Sequence, residues 1–237
     1  MTEFVTITEE NKEEHRALLE QYRGLLLSHN NRNEASKLDL TLKNGEVIFL
    51  SLDASGQLLA GVLFNKNLSF KLKNNNHLPR NLKGNVGYAH ALVASDSQTG
   101  GIMPGLTLQQ RIISDFRDGV GEFSDIDVLT ADVVGRNMLL AHEASKEVGL
   151  KVVARKSLQT GHDASNQAHF VAIARDPDLN LIPVRREGDV VSDDEMAELA
   201  HQELVKFKEA DPRYNKEARA ARRAALKQGK EGEPPAR

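Results

Sequence analysis

The sequence predicts an α/β (α+β) domain with a mixed central sheet and helices on both faces, followed by a C-terminal helical extension. Three observations carry that prediction. Strand-like and helix-like segments alternate through the second half of the chain. A hairpin signal in the first half brings antiparallel pairing into the same sheet. One stretch, Ala89–Ile113, then reads as strand, glycine-containing loop and helix start in immediate succession.

That central stretch is the most informative. Ala89 to Ala94 is an apolar run short enough for a buried strand. The chain turns polar at Ser95-Asp96-Ser97-Gln98, passes Thr99 and tightens through Gly100-Gly101. After Ile102 and Met103-Pro104, apolar residues recur at helical spacing as Leu108, Ile112, Ile113 and Phe116. Pro suits the first turn of a helix, where its missing N–H costs nothing. This geometry turns unpaired backbone N–H groups and the positive end of a helix dipole toward one place, which suits a phosphate. Glycine there keeps side chains from holding the anion off the backbone. The same features also fit an ordinary tight βα connection. The P-loop pattern is excluded, because no Gly-Lys-Ser/Thr follows, and the three-glycine dinucleotide fingerprint is missing.

In chain order, Phe4–Ile7 is a short strand, and Leu18, Leu19, Tyr22 and Leu25–Leu27 form the apolar side of a first helix. Ser28–Ser36 is polar and reads as a loop or a further helical turn. Val47–Leu52 and Leu58–Phe64 flank Asp53-Ala54-Ser55-Gly56, which is the hairpin signal. Asn65–Lys83 reads as a long surface excursion, less ordered than its surroundings. Beyond the central stretch the helix stops near Asp118-Gly119. Ile126–Val134 is a strand, and a helix runs from about Arg136 to Gly149. Lys151–Lys156 and Ala168–Arg175 are the last strands, with Gly161–Gln167 as a polar loop between them. Ser192-Asp193-Asp194-Glu195 is a capping box that opens a helix carrying Met196, Leu199, Leu204 and Phe207. These shifts divide the chain into residues 1–178 and a helical, basic extension at 179–237 with a Gly/Glu/Pro-rich tail.

Composition narrows the classes. A chain of 237 residues suffices for one sizeable domain plus extra elements, or two small ones. A net charge of −3 gives no global drive toward nucleic acid or acidic membrane. With no cysteine, disulfides, thiolate nucleophiles and cysteine metal sites are excluded. The acidic start lacks a basic-then-apolar leader, and no apolar run approaches the roughly 20 residues of a membrane span. The expectation is a soluble, cytoplasmic protein.

The order of elements from Phe4 to Arg175 resembles the GNAT superfamily of acyl-CoA-dependent N-acyltransferases, of which this chain looks like a degenerate member. The local match is Val93 followed by Gln98-Thr99-Gly100-Gly101-Ile102-Met103, with Gln98 and Gly101 on the family's motif positions. The helix ending at Gly149-Leu150 is similar to the family's later helix. The resemblance implies acetyl-CoA as cosubstrate, with backbone groups of Leu92 and Val93 pairing to the pantetheine arm. Backbone N–H groups from Thr99 to Met103 would hold the pyrophosphate, and Asn137 would lie near the cofactor. The opening between the central strand and Ile126–Val134 would admit the thioester. Two positions depart from the family. Met103 stands where a small residue is usual, and Ser145 stands about where a common Tyr protonates the departing thiolate.

Acyl transfer to an amine needs a base, and His90 on the central strand is of the right type near neutrality. Its alternative role is that of a packed or solvent-facing strand residue. Asp96 is a second candidate, its alternative being a turn residue. Glu122, Asp125 and Asp127 are expected near the acceptor side of the opening, or as solvated surface. No His-x-x-x-His or comparable spacing supports a metal site. The basic segment Arg213–Lys230, with Tyr214 its lone aromatic and Glu217 interleaved, reads as a solvated helix in preference to a nucleic-acid contact. The reading is an acetyl-CoA-dependent N-acetyltransferase acting on a small-molecule or protein amine by direct transfer. The alternative is a non-catalytic protein of the same fold that binds a partner through its C-terminal helices.

Overall fold

The computed structural model describes residues 2–95, 104–156 and 168–210. The glycine loop 96–103, the loop Gly161–Gln167 and the basic segment Arg213–Lys230 lie outside the described residues. The chain opens with β1 (Glu3–Ile7), α1 (Arg16–Ser28) and α2 (Arg32–Lys43). The hairpin follows as β2 (Val47–Leu52) and β3 (Leu58–Asn65), antiparallel to each other. Asp53 fixes its turn: one carboxylate oxygen accepts from the N–H groups of Ser55 and Gln57 at 2.8 and 3.0 Å.

After α3 (Ser69–Asn74), β4 (Val86–Ala94) forms the middle of the sheet, and α4 (Pro104–Asp118) begins on its proline as the sequence predicts. β5 (Val128–Val134), α5 (Gly135–Glu147), β6 (Lys151–Lys156) and β7 (Ala168–Ala174) complete the sheet. The seven described strands lie in the order β1-β2-β3-β4-β5-β7-β6. β4 and β5 are parallel; the other described pairs are antiparallel. The mixed sheet with helices on both faces is therefore the fold the sequence predicts.

Two layers cover the sheet. On one face α1 and α2 bury Leu19, Tyr22, Leu26, Leu38 and Leu42 against Ile48, Leu50, Leu63 and Val93. On the other, α4 packs over β2, β3 and β4, while α5 packs over β5, β6 and β7. Burial of these side chains away from water is the main force holding the layers together.

Two segments differ from expectation. Ser28–Ser36 is not mainly a loop, because α2 starts inside it at Arg32. Its core contacts, Ala35, Leu38 and Leu42, stand at i, i+3 and i+7, a stripe diluted by polar neighbours. Asn65–Lys83 is not a surface excursion. Leu72, Leu78 and Leu82 are buried against Val86, Val128, Phe170 and Ala172. The segment is also pinned to the sheet, since Arg155 donates to the His77 carbonyl and lies 5.1 Å over the Phe170 ring. Burial lowers the Arg155 pKa to about 10, so the guanidinium remains a cation at neutral pH.

Residues to Val191 form one compact unit and Ser192–Arg237 a second. In the first, Val191 N–H donates to the Ala154 carbonyl at 2.9 Å, and Leu181 is fully buried. The second opens as the sequence predicts. Glu195 N–H donates to Ser192 Oγ at 3.2 Å, Ser192 N–H donates to Glu195 Oε2 at 3.0 Å, and α6 (Asp193–Ala210) follows. Among the described residues no helix is long and apolar enough to cross a membrane.

Candidate active site

The site is built on an irregularity in β4. Gly61 pairs with Val93 and Leu63 pairs with His90, so Val62 alone faces two residues, Ala91 and Leu92. This is a β-bulge, and Ala91 takes φ +51° to make it. A left-handed alanine is strained, so something must hold it there. The hydroxyl of Tyr22, on α1, donates to the Ala91 carbonyl at 3.0 Å. The ring reaches that far because β3 carries Gly61 beneath it: a Cβ on Gly61 would lie 2.5 Å from the Tyr22 ring.

On the other side of β4, the parallel ladder with β5 runs from Val86/Val128 to Ala89/Ala131 and ends there. Both strands continue, β4 to Ala94 and β5 to Val134. From the bulge onward the two middle strands of the sheet are no longer bonded to each other. A cavity of about 80 Å³ occupies this parting, lined by Leu92, Ile112, Ala131, Val133 and Val171, with His90 and Asp132 also on its wall.

The bulge reorients the second half of β4, and polar groups gather beside it. His90 Nε2 lies 3.0 Å from Glu46 Oε2. A carboxylate only accepts, so with neutral His90 that nitrogen carries the proton and Nδ1 keeps its lone pair. Glu46 is held in turn, because Asn65 Nδ2 donates to its other oxygen at 3.0 Å and Asn67 N–H donates to Asn65 Oδ1 at 2.8 Å. Beside His90, Tyr88 stacks at 5.6 Å between ring centroids and donates its hydroxyl to Asp132 Oδ2 at 3.0 Å. Burial pushes the Tyr88 pKa up, so this hydroxyl stays a neutral donor. The result is a row of two carboxylates, an imidazole and a phenol next to the parted strands.

The other sequence candidates fall in different places. Leu92 lines the cavity and Val93 is buried next to it on β4. Asn137 stands in the first turn of α5, where its carbonyl accepts from Gln109 Nε2 at 3.2 Å and ties α5 to α4. Ser145 does not reach the cavity. It is fully buried, and its hydroxyl donates to the Ala141 carbonyl one turn back at 2.7 Å. Asp96, Gln98, Thr99, Gly100, Gly101, Ile102 and Met103 lie outside the described residues. Of the two readings of the acidic group, the acceptor-side one is corrected, and the exposed Asp125 and Asp127 fit the solvated surface. Glu122 pairs with Lys66, and Asp127 accepts from the Asn85 N–H at 2.8 Å, where β4 and β5 begin and not where they part. Among the described residues no group of three or more His, Asp or Glu is placed to hold a metal ion.

Glu46, Asp132 and Tyr22 are the residues sequence reasoning passed over. Asp132 carried a signal, as a lone charge inside the apolar run Val128–Val134. Tyr22 read as core. Glu46, 44 residues before His90, carried none.

No protein-family model matches the chain, and no curated protein does. Solved structures similar to it include an N-acetyltransferase from Staphylococcus aureus Mu50, at 12% identity and TM-score 0.44 over 74% of this chain and 98% of that one. Arabidopsis thaliana NAA60 in complex with acetyl-CoA is similar at 13% identity and TM-score 0.45, over 73% and 97% of the two chains. A third is yncA, a putative acetyltransferase from Salmonella typhimurium with acetyl-CoA, at 15% identity and TM-score 0.44 over 74% and 95%.

Proposed function

We propose that this chain is an N-acetyltransferase that uses acetyl-CoA as cosubstrate and transfers the acetyl group directly to a primary amine, on a small molecule or a protein. The observation that carries the reading is the parting of β4 from β5 around an apolar cavity with the His90–Glu46 pair on its wall. An extended, mostly apolar arm carrying amide groups fits such a slot, since the β5-facing edge of β4 beyond Ala89 has no strand partner among the described residues and offers backbone donors and acceptors. Leu92 and Val93 would provide that edge, and residues 98–103 with the N-terminal end of α4 would receive the pyrophosphate. Acetyl-CoA supplies an acyl group already activated as a thioester.

The chain's own groups supply the rest. Nδ1 of His90 takes the proton from the incoming ammonium, directly or through a water, and Glu46 holds the imidazole in the tautomer that leaves Nδ1 free to accept. Asp132, with Glu46, favours a cationic acceptor by charge. Backbone N–H groups on the open edge are donors for a carbonyl oxygen that gains charge. The acetyl group passes directly to the amine: the new C–N bond forms as the thioester C–S bond breaks, and the second proton shed by the nitrogen goes to the departing sulfur, so coenzyme A leaves as the thiol.

Calorimetric titration with acetyl-CoA tests the reading. Saturable binding is expected, and Val133→Trp, which fills the cavity, is expected to weaken it by at least about tenfold, as a blocked pocket should. Absence of heat at millimolar ligand, or an unchanged affinity in folded Val133→Trp, would overturn it.

A further inference from the structure

We infer that Tyr22 is a positioning residue whose hydroxyl, from a helix on the opposite sheet face to α4, latches the β4 bulge and so keeps the slot between β4 and β5 open. The ligand named for that slot rests on the reading proposed above; the latch itself rests on three observations. First, Ala91 is held at φ +51°, which L residues with a Cβ rarely adopt, and it is the first residue of the bulge. Second, its carbonyl accepts from the Tyr22 hydroxyl at 3.0 Å, a contact across 69 residues of sequence. Third, that contact exists only because Gly61 leaves room for the ring, which a Cβ would meet at 2.5 Å.

The parts act in sequence. A regular β4 would present its next residue toward β5 in register and could extend the parallel ladder past Ala89/Ala131. The bulge shifts that register by one residue and turns the strand. Tyr22 is fully buried, so its hydroxyl has no water to bond instead, and the Ala91 carbonyl would lose this donor without it. Burial also raises the Tyr22 pKa, which keeps the hydroxyl a donor across the working pH range. The latch thereby couples α1 to the strand edge that would hold the cofactor arm.

A double-mutant cycle on the full chain separates the latch from simple packing. Tyr22→Phe keeps the ring over Gly61 and deletes the hydroxyl. Ala91→Gly keeps the hydroxyl and removes the strain, since glycine takes positive φ freely. The readouts are amide hydrogen exchange at Leu92 and Val93 and affinity for acetyl-CoA. In the wild-type background, Tyr22→Phe is expected to speed exchange and weaken affinity by about tenfold, the weight of one lost buried hydrogen bond. In the Ala91→Gly background the same substitution is expected to change both by less than about twofold. Equal effects in the two backgrounds, or no change in exchange on losing the hydroxyl, overturn the latch. If Tyr22→Phe does not fold, the double variant decides: affinity like that of Ala91→Gly supports the latch, and failure to fold as well overturns it. Exchange that follows the cycle in a wild type that binds no acetyl-CoA upholds the latch and overturns the proposed function instead.

Discussion

The two ends of the β4/β5 pair are built on opposite principles. At the closed end, backbone groups pair in register or meet a side chain that stands in for a strand. Val86 to Ala89 pair with Val128 to Ala131, and the Thr130 hydroxyl donates to the Gly87 carbonyl at 2.8 Å. Asp127 caps Asn85, whose side-chain amide donates to the Asp125 carbonyl at 2.8 Å. Phe49, Phe64, Phe116 and Phe123 cluster at this end, and Arg175 lies over Phe116 while donating to the Phe123 carbonyl at 2.9 Å. At the open end the same strands carry a bulge, a left-handed alanine, a ladder that has ended and a cavity. The difference teaches that the closed end supplies the stability that lets the other end forgo ladder hydrogen bonds. Binding groups are drawn from the less stable part of a fold for that reason.

If so, substitutions at the two ends should have different symptoms. The largest effect is expected from Gly87→Val at the closed end. A Cβ there would lie 2.3 Å from Phe64 Cζ, and that ring is itself buried, so a loss of about 3 kcal/mol or failure to fold is expected by thermal unfolding. At the open end, His90→Ala should change the melting temperature far less, because the side chain is 27% exposed and its contacts are the Tyr88 ring and the Glu46 carboxylate. Its acetyl-transfer rate should fall by about 100-fold, the usual weight of a positioned base. Glu46→Gln is expected to cost less, about tenfold in rate, with acetyl-CoA affinity retained, since it loosens the imidazole without removing it. A closed-end variant that lost rate without stability, or an open-end variant with the reverse pattern, would erase the contrast.

The fold was legible because period and punctuation agreed along most of the chain. The hairpin at Asp53–Gly56, the proline opening α4, glycine stops at 119 and 149, and the Ser192 capping box each left a local mark. Where the reading failed, the burial was made by distant partners. Leu72, Leu78 and Leu82 stand in a stretch rich in Asn and Lys, and only the sheet face beneath them makes them core. The site divides the same way. The strand carrying His90, Leu92 and Val93 was legible from its apolar run and the loop after it. The bulge was not, because Ala91 has no residue-type mark for positive φ; its cause is a tyrosine on another helix and a glycine on another strand. Glu46 finds His90 only through the β2–β3–β4 pairing, which places the start of β2 across from His90. The acidic trio near residue 125 could be read as solvated surface or as the acceptor side of the opening, and only the register of β4 with β5, which puts the trio at the closed end, separates the two.

The most direct measurement is amide hydrogen exchange of the intact chain with and without saturating acetyl-CoA. Slowed exchange at Leu92, Val93 and Ala94, with Val86 to Ala89 unchanged, is the expected result. Protection confined to other elements, or none along β4 at saturation, would contradict the assignment of the parted strands as the cofactor slot.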